Sequence, residues 1–96
     1  MKMPKRSLTY KELSALCRQF HSILESGINI SDGIELLKGQ FQNKMIKSSL
    51  SNIRDEINRG NTLYSSFKLY PSLYPDFMVS MINVGEQSGN LEYVFK

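Results

Sequence analysis

The sequence has no tryptophan and contains only one cysteine, one histidine and three prolines among its 96 residues. A single cysteine excludes a disulfide within the chain and suits a reducing compartment. No run of eighteen apolar residues occurs, so this segment is not expected to cross a membrane. The first residues are basic but lack the apolar stretch of a signal peptide. Together these absences predict a segment that works in the cytosol.

The chain also has few side chains from which to build a catalytic or metal site. His21 is the only histidine, and Cys17 lies four positions before it, on the adjoining turn of a predicted helix. Such a pair can activate a thiolate or contribute to a zinc site. Zinc needs further ligands, however, and Cys17 falls in an apolar stripe, where a free thiol behaves as a small hydrophobic group. We therefore predict a core thiol and a non-enzymatic domain with no cofactor and no metal.

Positive charge is concentrated at the start of the chain. The net charge is +3, and Lys2, Lys5 and Arg6 supply three positive charges before Ser7. From Ser7 onward nine basic residues face nine acidic ones, so the folded body is neutral, whereas nucleic-acid-binding domains carry a basic face. We predict that residues 1–8 form a flexible basic leader. The leader either solubilises the chain or is weakly attracted to anionic lipid headgroups.

Tyrosines cluster near Tyr64, Tyr70 and Tyr74. Aromatic residues interleaved with bases can stack on single-stranded nucleic acid, but only Lys68 lies near this cluster. Packing in the core and the neighbouring loop is the predicted role.

Apolar residues recur at helical spacing along nearly the whole chain, beginning after Thr9. Thr9 and Glu12 have the spacing of a capping box, which predicts the start of a first helix. One stripe follows: Leu13, Leu16, Cys17, Phe20, Ile23 and Leu24. Gly27 is predicted to end this helix, because glycine adopts the left-handed conformation without steric cost.

Two further helices are predicted in the middle of the chain. Ser31 can cap the second, which we expect to be short because it contains Gly33 and Gly39. The apolar residues of the second helix are Ile34, Leu37 and Phe41. Asn43 can cap the third, which Gly60 is predicted to end. The apolar face of the third helix consists of Ile46, Leu50, Ile53 and Ile57.

The pattern in the last third of the chain predicts three more helices. Thr62 can cap a short fourth helix, and Pro75 suits the first turn of a fifth. A sixth helix is expected after Gly89, with an apolar face that consists of Leu91, Val94 and Phe95. We expect this helix to be incomplete at Lys96. The prediction is an all-α, antiparallel six-helix bundle with short turns, occupying residues 9–96.

The junction between the fifth and sixth helices is the most informative local pattern. Gly89 is predicted to have a positive φ, and Asn90 to cap the helix that follows. Gly85 lies inside the preceding apolar run, where glycine costs about 1 kcal/mol relative to alanine. A glycine at such a position indicates close approach of another helix or backbone. The pattern is compatible with a simple interhelical turn and with a functional role.

The same region resembles a known family. "SMINVGEQSGNLEYVF" is similar to the signature of the cytoplasmic domain of the type II secretion F family. Three earlier segments resemble the family's helices in the same order: "LCRQFHSILESGINISDGIELL", "IRDEINRGNTLYSSF" and "YPDFMVSMINVGE". The resemblance extends over roughly residues 10–96. It implies a bundle whose sixth helix leads toward a transmembrane segment, and a second copy of the domain further along the full protein.

The resemblance also implies a function, because family members are polytopic membrane platform proteins of type II secretion systems, type IV pili and competence pseudopili. This segment would lie on the cytoplasmic side of the cell (inner) membrane and couple an assembly ATPase to pilin extraction. The implied partners are the cytosolic ATPase, pilin or pseudopilin, other membrane assembly components and further copies of the platform protein, but no nucleic acid. The alternative from a different class is a stand-alone helical adaptor or nucleic-acid-binding module.

The resemblance carries over to particular residues. The family-motif and turn positions are Gly27, Gly60, Gly85, Glu86, Gly89 and Asn90. The predicted partner interface consists of Glu86, Gln87, Leu91, Val94 and Phe95. Glu86 lies near the C-terminus of the fifth helix, where a negative charge is unfavourable to the helix dipole. It therefore needs either a basic group on a partner, or an intramolecular salt bridge to an arginine such as Arg18, Arg54 or Arg59, or exposure to solvent.

Overall fold

A computed structural model describes residues 8–89 of the chain. Over this range the regular secondary structure consists of five α-helices, which confirms the all-α class. The helices are α1 (Tyr10–Ser26), α2 (Ile30–Gly39), α3 (Lys44–Asn58), α4 (Leu63–Phe67) and α5 (Asp76–Ser88). The predicted sixth helix (Asn90, Leu91, Val94 and Phe95) and the leader up to Ser7 lie outside the described residues. The six-helix count therefore stays a prediction.

Three of the predicted N-caps are confirmed. The Thr9 hydroxyl accepts from the Glu12 backbone N–H, and a Glu12 carboxylate oxygen accepts in return from the Thr9 N–H, both at 3.0 Å. Asn43 accepts from the backbone N–H groups of Met45 and Ile46 at the start of α3. Thr62 begins α4. These caps satisfy N–H groups that have no partner within their own helix.

The predicted cap of α2 is wrong. Asn29 caps this helix, accepting from the backbone N–H groups of Ser31 at 2.8 Å and Asp32 at 3.4 Å. Ser31 is already helical, and its hydroxyl instead accepts from Arg54 Nε at 3.2 Å. An asparagine amide is as good a cap as a serine hydroxyl, so the contact with α3 decides between two neighbouring candidates. The helix is short, as predicted, with ten residues, and Phe41 is buried just beyond its end.

The helix boundaries follow the predicted glycine and proline positions, with two differences. Gly27, Gly60 and Gly89 all have positive φ, at 77°, 96° and 79°. Gly27 and Gly89 directly follow α1 and α5, whereas α3 ends two residues before Gly60. Pro75 occupies the N-cap of α5 and not its first turn, one position earlier than predicted. The left-handed Gly89 confirms the predicted conformation of the turn after α5.

Replacing Gly89 by valine should lower the free energy of unfolding by about 1 kcal/mol or more, because a β-branched residue is strained in the left-handed region. The matched control is Ser88→Val, one residue earlier in right-handed helix, where the change should cost only a few tenths of a kcal/mol. Urea unfolding of both variants measures the difference. Equal losses at the two positions would contradict the strain at Gly89.

The core is formed by one continuous set of apolar side chains from all five helices. Its fully buried members include Leu16, Phe20, Ile34, Leu37, Ile46, Leu50, Ile53, Phe67, Tyr74 and Ile82. Phe67 lies at its aromatic centre, with ring centroids 6.2 Å from Phe20 and 4.8 Å from Tyr74. The buried Tyr74 hydroxyl is within 2.7 Å of Ser49 Oγ, so its polar atom is satisfied. The predicted packing role of the tyrosine cluster therefore holds for Tyr74.

Polar contacts fix α2 and α3 in antiparallel register. Ser31 near the start of α2 contacts Arg54 near the end of α3, and Lys38 near the end of α2 donates to Ser51 Oγ at 3.0 Å. Glu35 lies between them, 3.2 Å from Lys38 and 3.5 Å from Arg54. Neither cation is more than partly exposed, so this small network ties the two helices together across their shared face.

Two opposite ends of the bundle can be distinguished. At one end Leu8 donates its backbone N–H to the Leu73 carbonyl at 3.3 Å, and Asn43 Nδ2 donates to Glu12 at 3.0 Å. We call this the Leu8 end; it holds the starts of α1, α3 and α5. The other, which we call the Glu86 end, holds the ends of these helices and the start of α4. No helix within residues 8–89 is long and apolar enough to span a membrane.

Candidate interaction surfaces

The Glu86 carboxylate binds the N-terminus of α4. Its Oε2 accepts from the backbone N–H of Leu63 at 2.7 Å, and its Oε1 accepts from that of Tyr64 at 2.9 Å. The third N–H of the helix, on Ser65, donates to the Thr62 hydroxyl at 3.0 Å. The first three amide groups of α4 therefore all have acceptors. We call this arrangement the Glu86 clamp.

The clamp explains a charge that opposes its own helix. At the C-terminal end of α5, Glu86 meets the negative end of the helix dipole. The same carboxylate lies at the positive end of α4, where a negative charge is favourable. Hydrogen bonds to a charged acceptor are stronger than neutral ones. The contact is intramolecular, but its donors are backbone N–H groups and not the arginines considered from the sequence. Two of those arginines are paired elsewhere, Arg54 with Glu35 and Arg59 with Glu56.

The other motif residues lie around the clamp at different depths. Gly85 is buried in α5 and Gln87 is exposed on it. Gln87 Nε2 donates to Asn83 Oδ1 at 3.2 Å, within the same helix. The fifth helix therefore ends with Glu86 engaged and Gln87 facing solvent. Of the predicted interface, Leu91, Val94 and Phe95 lie outside the described residues.

Each end of the bundle carries an open cavity. At the Glu86 end a cavity of about 360 Å³ is bordered by the clamp. It is lined by Leu24, Ile28, Ile30, Ile57, Asn61, Thr62, Leu63 and Glu86. At the Leu8 end a cavity of about 330 Å³ lies between the start of α3 and the loop before α5. Its lining includes Lys44, Met45, Leu69, Tyr70 and Leu73.

Cys17 and His21, the two residues considered from the sequence for catalysis or zinc binding, both lie on α1. Cys17 is half-buried against the core, and burial raises the pKa of its thiol above the ordinary value. The protonated form is therefore favoured at neutral pH, and a protonated thiol is a poor nucleophile. His21 Nε2 lies 3.9 Å from a carboxylate oxygen of Glu25. Within residues 8–89 no group of three or more His, Cys, Asp or Glu side chains is placed to hold a metal ion.

Two contacts that shape these surfaces could not be predicted from the sequence. The Glu86 clamp joins residues 22 and 23 positions apart, so no local pattern indicates it. A Cβ added to Gly33 would lie 2.5 Å from Ile23 Cγ2, which shows how closely α2 approaches α1. The signal in the sequence is a glycine at the fourth position of a helix, which by local rules indicates only a weaker helix.

Comparison with known proteins places the chain among secretion and pilus proteins. The family described as "Type II secretion system (T2SS), protein F" matches residues 16–96. The Type II secretion system protein F of Vibrio cholerae is 27% identical over 92 residues, which cover 96% of this chain and 23% of that protein. The Type IV pilus assembly protein PilC of Pseudomonas aeruginosa is 24% identical over 81 residues, covering 84% and 22%. PilC of Thermus thermophilus is 27% identical over 70 residues, covering 73% and 17%. The chain thus spans about a fifth of the length of these relatives.

Proposed function

Because this chain belongs to the type II secretion system protein F family, we propose that it forms a cytoplasmic domain of a membrane platform protein that assembles a type IV pilus or a secretion pseudopilus. The observation that carries the proposal is the family match over residues 16–96, together with relatives from both secretion and pilus systems. The full-length protein would lie in the cell (inner) membrane. This segment would not be an enzyme, and it would act through protein–protein contacts.

The proposed mechanism is mechanical coupling. A cytosolic assembly ATPase would bind the helical domain and transmit its conformational cycle to the membrane part, which extracts pilin or pseudopilin. Such a role needs a rigid body with matched surfaces, and the continuous core from α1 to α5 supplies one. Further copies of the platform protein would complete the assembly, since self-association gives the ATPase and the growing filament a matching set of contacts.

The C-terminal end of α5 is the surface we propose for partner binding. Glu86 is engaged with α4, and the exposed Gln87 beside it is anchored only to its own helix in the described part of the chain. Gln87 can therefore be changed without breaking a hydrogen bond between any two of the helices α1 to α5. A bulky charge at this position would disturb a partner while leaving the fold intact.

The test is Gln87→Arg in the full-length protein in its natural host, with Asn52→Arg on the exposed face of α3 as the matched control. We expect Gln87→Arg to reduce surface pili or secreted product at least tenfold, whereas Asn52→Arg leaves assembly unchanged. Protein levels in the membrane fraction and co-purification of the assembly ATPase are measured alongside. Normal assembly by Gln87→Arg would move the partner surface elsewhere, and normal assembly after deletion of the whole gene would overturn the proposed function.

A further inference from the structure

The Leu8 end exposes most of the large apolar side chains that the described residues leave in solvent. Tyr10 begins α1, Met45 lies in the first turn of α3, Leu69 follows α4, and Phe77 lies in the first turn of α5. Leu69 and Phe77 are 57% and 58% exposed. Met45 and Leu69 also border the cavity at this end. Side chains from four separate segments therefore project from one end of the bundle.

Positive charge lies at the same end, where Lys44 lines the cavity together with Met45 and Leu69. The lysines of the Leu8 end are Lys11 and Lys44, at the starts of α1 and α3, and Lys47, whose Nζ donates to the Lys38 carbonyl at 3.3 Å. The acidic residues of this end are Glu12 and Asp76, in the first turns of α1 and α5. Glu12 is already engaged by the Thr9 backbone and the Asn43 side chain. The leader also joins the bundle at this end, because the Leu8 backbone is hydrogen-bonded to that of Leu73. The basic residues of the leader precede Leu8 in sequence.

The opposite end has the opposite charge. Its carboxylates belong to Glu25, Asp32, Asp55, Glu56 and Glu86. One of them, Glu56, is paired with Arg59 at 2.6 Å, and Arg54 near the end of α3 is paired with Glu35. The described body carries eight basic and eight acidic residues, so its neutrality hides a separation of charge along the bundle. In a field from an anionic surface, the molecule would orient with the Leu8 end toward that surface.

We propose that the Leu8 end docks on a bilayer surface that contains anionic phospholipids. Tyr10, Met45, Leu69 and Phe77 insert among the headgroups. Lys11 and Lys44 contact lipid phosphates, with their aliphatic stems lying along the apolar side chains. A second copy is a poorer occupant, because a symmetric contact through this end would bring two sets of lysines together. The inference adds a lipid-binding surface to the proposed function, and its test uses the chain alone, so either one can fail without the other.

The experiment is co-sedimentation of the 96-residue chain with phosphatidylcholine vesicles, with and without phosphatidylglycerol. We expect binding only when phosphatidylglycerol is present, and loss of binding at high salt as the charges are screened. Lys44→Gln should weaken binding about fivefold, the contribution of one basic residue near an anionic membrane. Leu69→Ser and Phe77→Ser should each weaken it about tenfold by removing inserted apolar area. Circular dichroism confirms that the variants fold.

Two controls distinguish binding through the Leu8 end from binding through the leader or through any exposed apolar side chain. Val84→Ser removes an equally exposed apolar side chain, on α5 toward the Glu86 end, and should leave binding unchanged. Replacing Lys2, Lys5 and Arg6 by glutamine should weaken binding but leave a salt-sensitive remainder that still depends on Leu69. Equal binding to neutral vesicles would overturn the proposal. The proposal would also be wrong if Val84→Ser weakened vesicle binding as much as Phe77→Ser, or if the variant lacking the three leader charges did not bind vesicles at all. A third contradicting result would be a chain that binds no vesicles and forms a dimer in solution that Leu69→Ser dissociates.

Discussion

Replacing Gly33 by alanine should lower the free energy of unfolding by about 1–3 kcal/mol, although alanine is the better helix former by about 1 kcal/mol. The added Cβ would lie 2.5 Å from Ile23 Cγ2, closer than two carbon atoms can approach. That methyl group is fixed to the β-carbon of a helical isoleucine, whose side chain has one strongly preferred rotamer. The clash must therefore separate α1 from α2. Thermal and urea unfolding measure the loss.

Gly39→Ala is the matched control within the same helix. No atom lies within 4 Å of a Cβ built on Gly39, and its φ is not in the left-handed region. Alanine should therefore stabilise the chain there by up to about 1 kcal/mol through helix propensity alone. If alanine lowers the free energy of unfolding at Gly33 and raises it at Gly39, the steric effect is distinguished from the effect of helix propensity.

A second-site change tests the partner atom. Ile23→Ala removes Cγ2, and Gly33→Ala in that background should become neutral or stabilising. The coupling energy between the two sites should be about 2 kcal/mol. Ile23→Val keeps both branches at the β-carbon and should give no relief. If Gly33→Ala stabilised the otherwise unchanged chain as Gly39→Ala does, the close approach of α1 and α2 would be wrong.

The parts of the fold that could be predicted are those decided within a few residues. Thr9 with Glu12, and Thr62, cap their helices because the acceptor and the donors it satisfies lie within one turn. Gly27 and Gly89 end their helices because the left-handed conformation is a property of the glycine itself. Tertiary structure strengthens these features but does not choose them.

The features that could not be predicted depend on contacts between distant elements. Asn29 and Ser31 are both good caps, and Arg54 on another helix determines which one serves. Gly33 is indistinguishable from Gly39 by local rules, although one meets Ile23 and the other meets nothing within 4 Å. A hydrophobic pattern indicates which face of a helix is buried, but not where along that face its neighbour comes closest.

The Glu86 clamp is the most consequential contact of this kind. From the sequence, the glutamate at the end of α5 indicated a missing positive charge, and arginines or a partner were the natural candidates. The structure supplies the positive end of a helix instead. α4 has only five residues, and a helix of that length is not stable in isolation. The clamp therefore helps determine whether α4 forms and where it lies against α5.

Glu86→Ala should lower the free energy of unfolding by about 2–3 kcal/mol, because it removes two charge-assisted hydrogen bonds and leaves the Leu63 and Tyr64 N–H groups without acceptors. Glu86→Gln keeps one acceptor oxygen and should cost about 1–2 kcal/mol, the neutral bond being weaker than the charged one. Asp55→Asn is the matched control, since it neutralises an exposed carboxylate on α3 and should change stability by no more than about 0.5 kcal/mol. Urea unfolding measures all three, and equal losses for Glu86→Gln and Asp55→Asn would contradict the clamp.

The same residue distinguishes a structural role from partner binding once stability and assembly are measured together in the full-length protein. Thr62→Asp places a new carboxylate at the N-cap of α4, so it should restore much of the stability lost in Glu86→Gln. If assembly returns with stability in the double variant, Glu86 acts through the position of α4. If stability returns while assembly stays lost, the Glu86 carboxylate itself meets a partner. Because Thr62→Asp replaces the charge at α4 but not on α5, the two results cannot be confused.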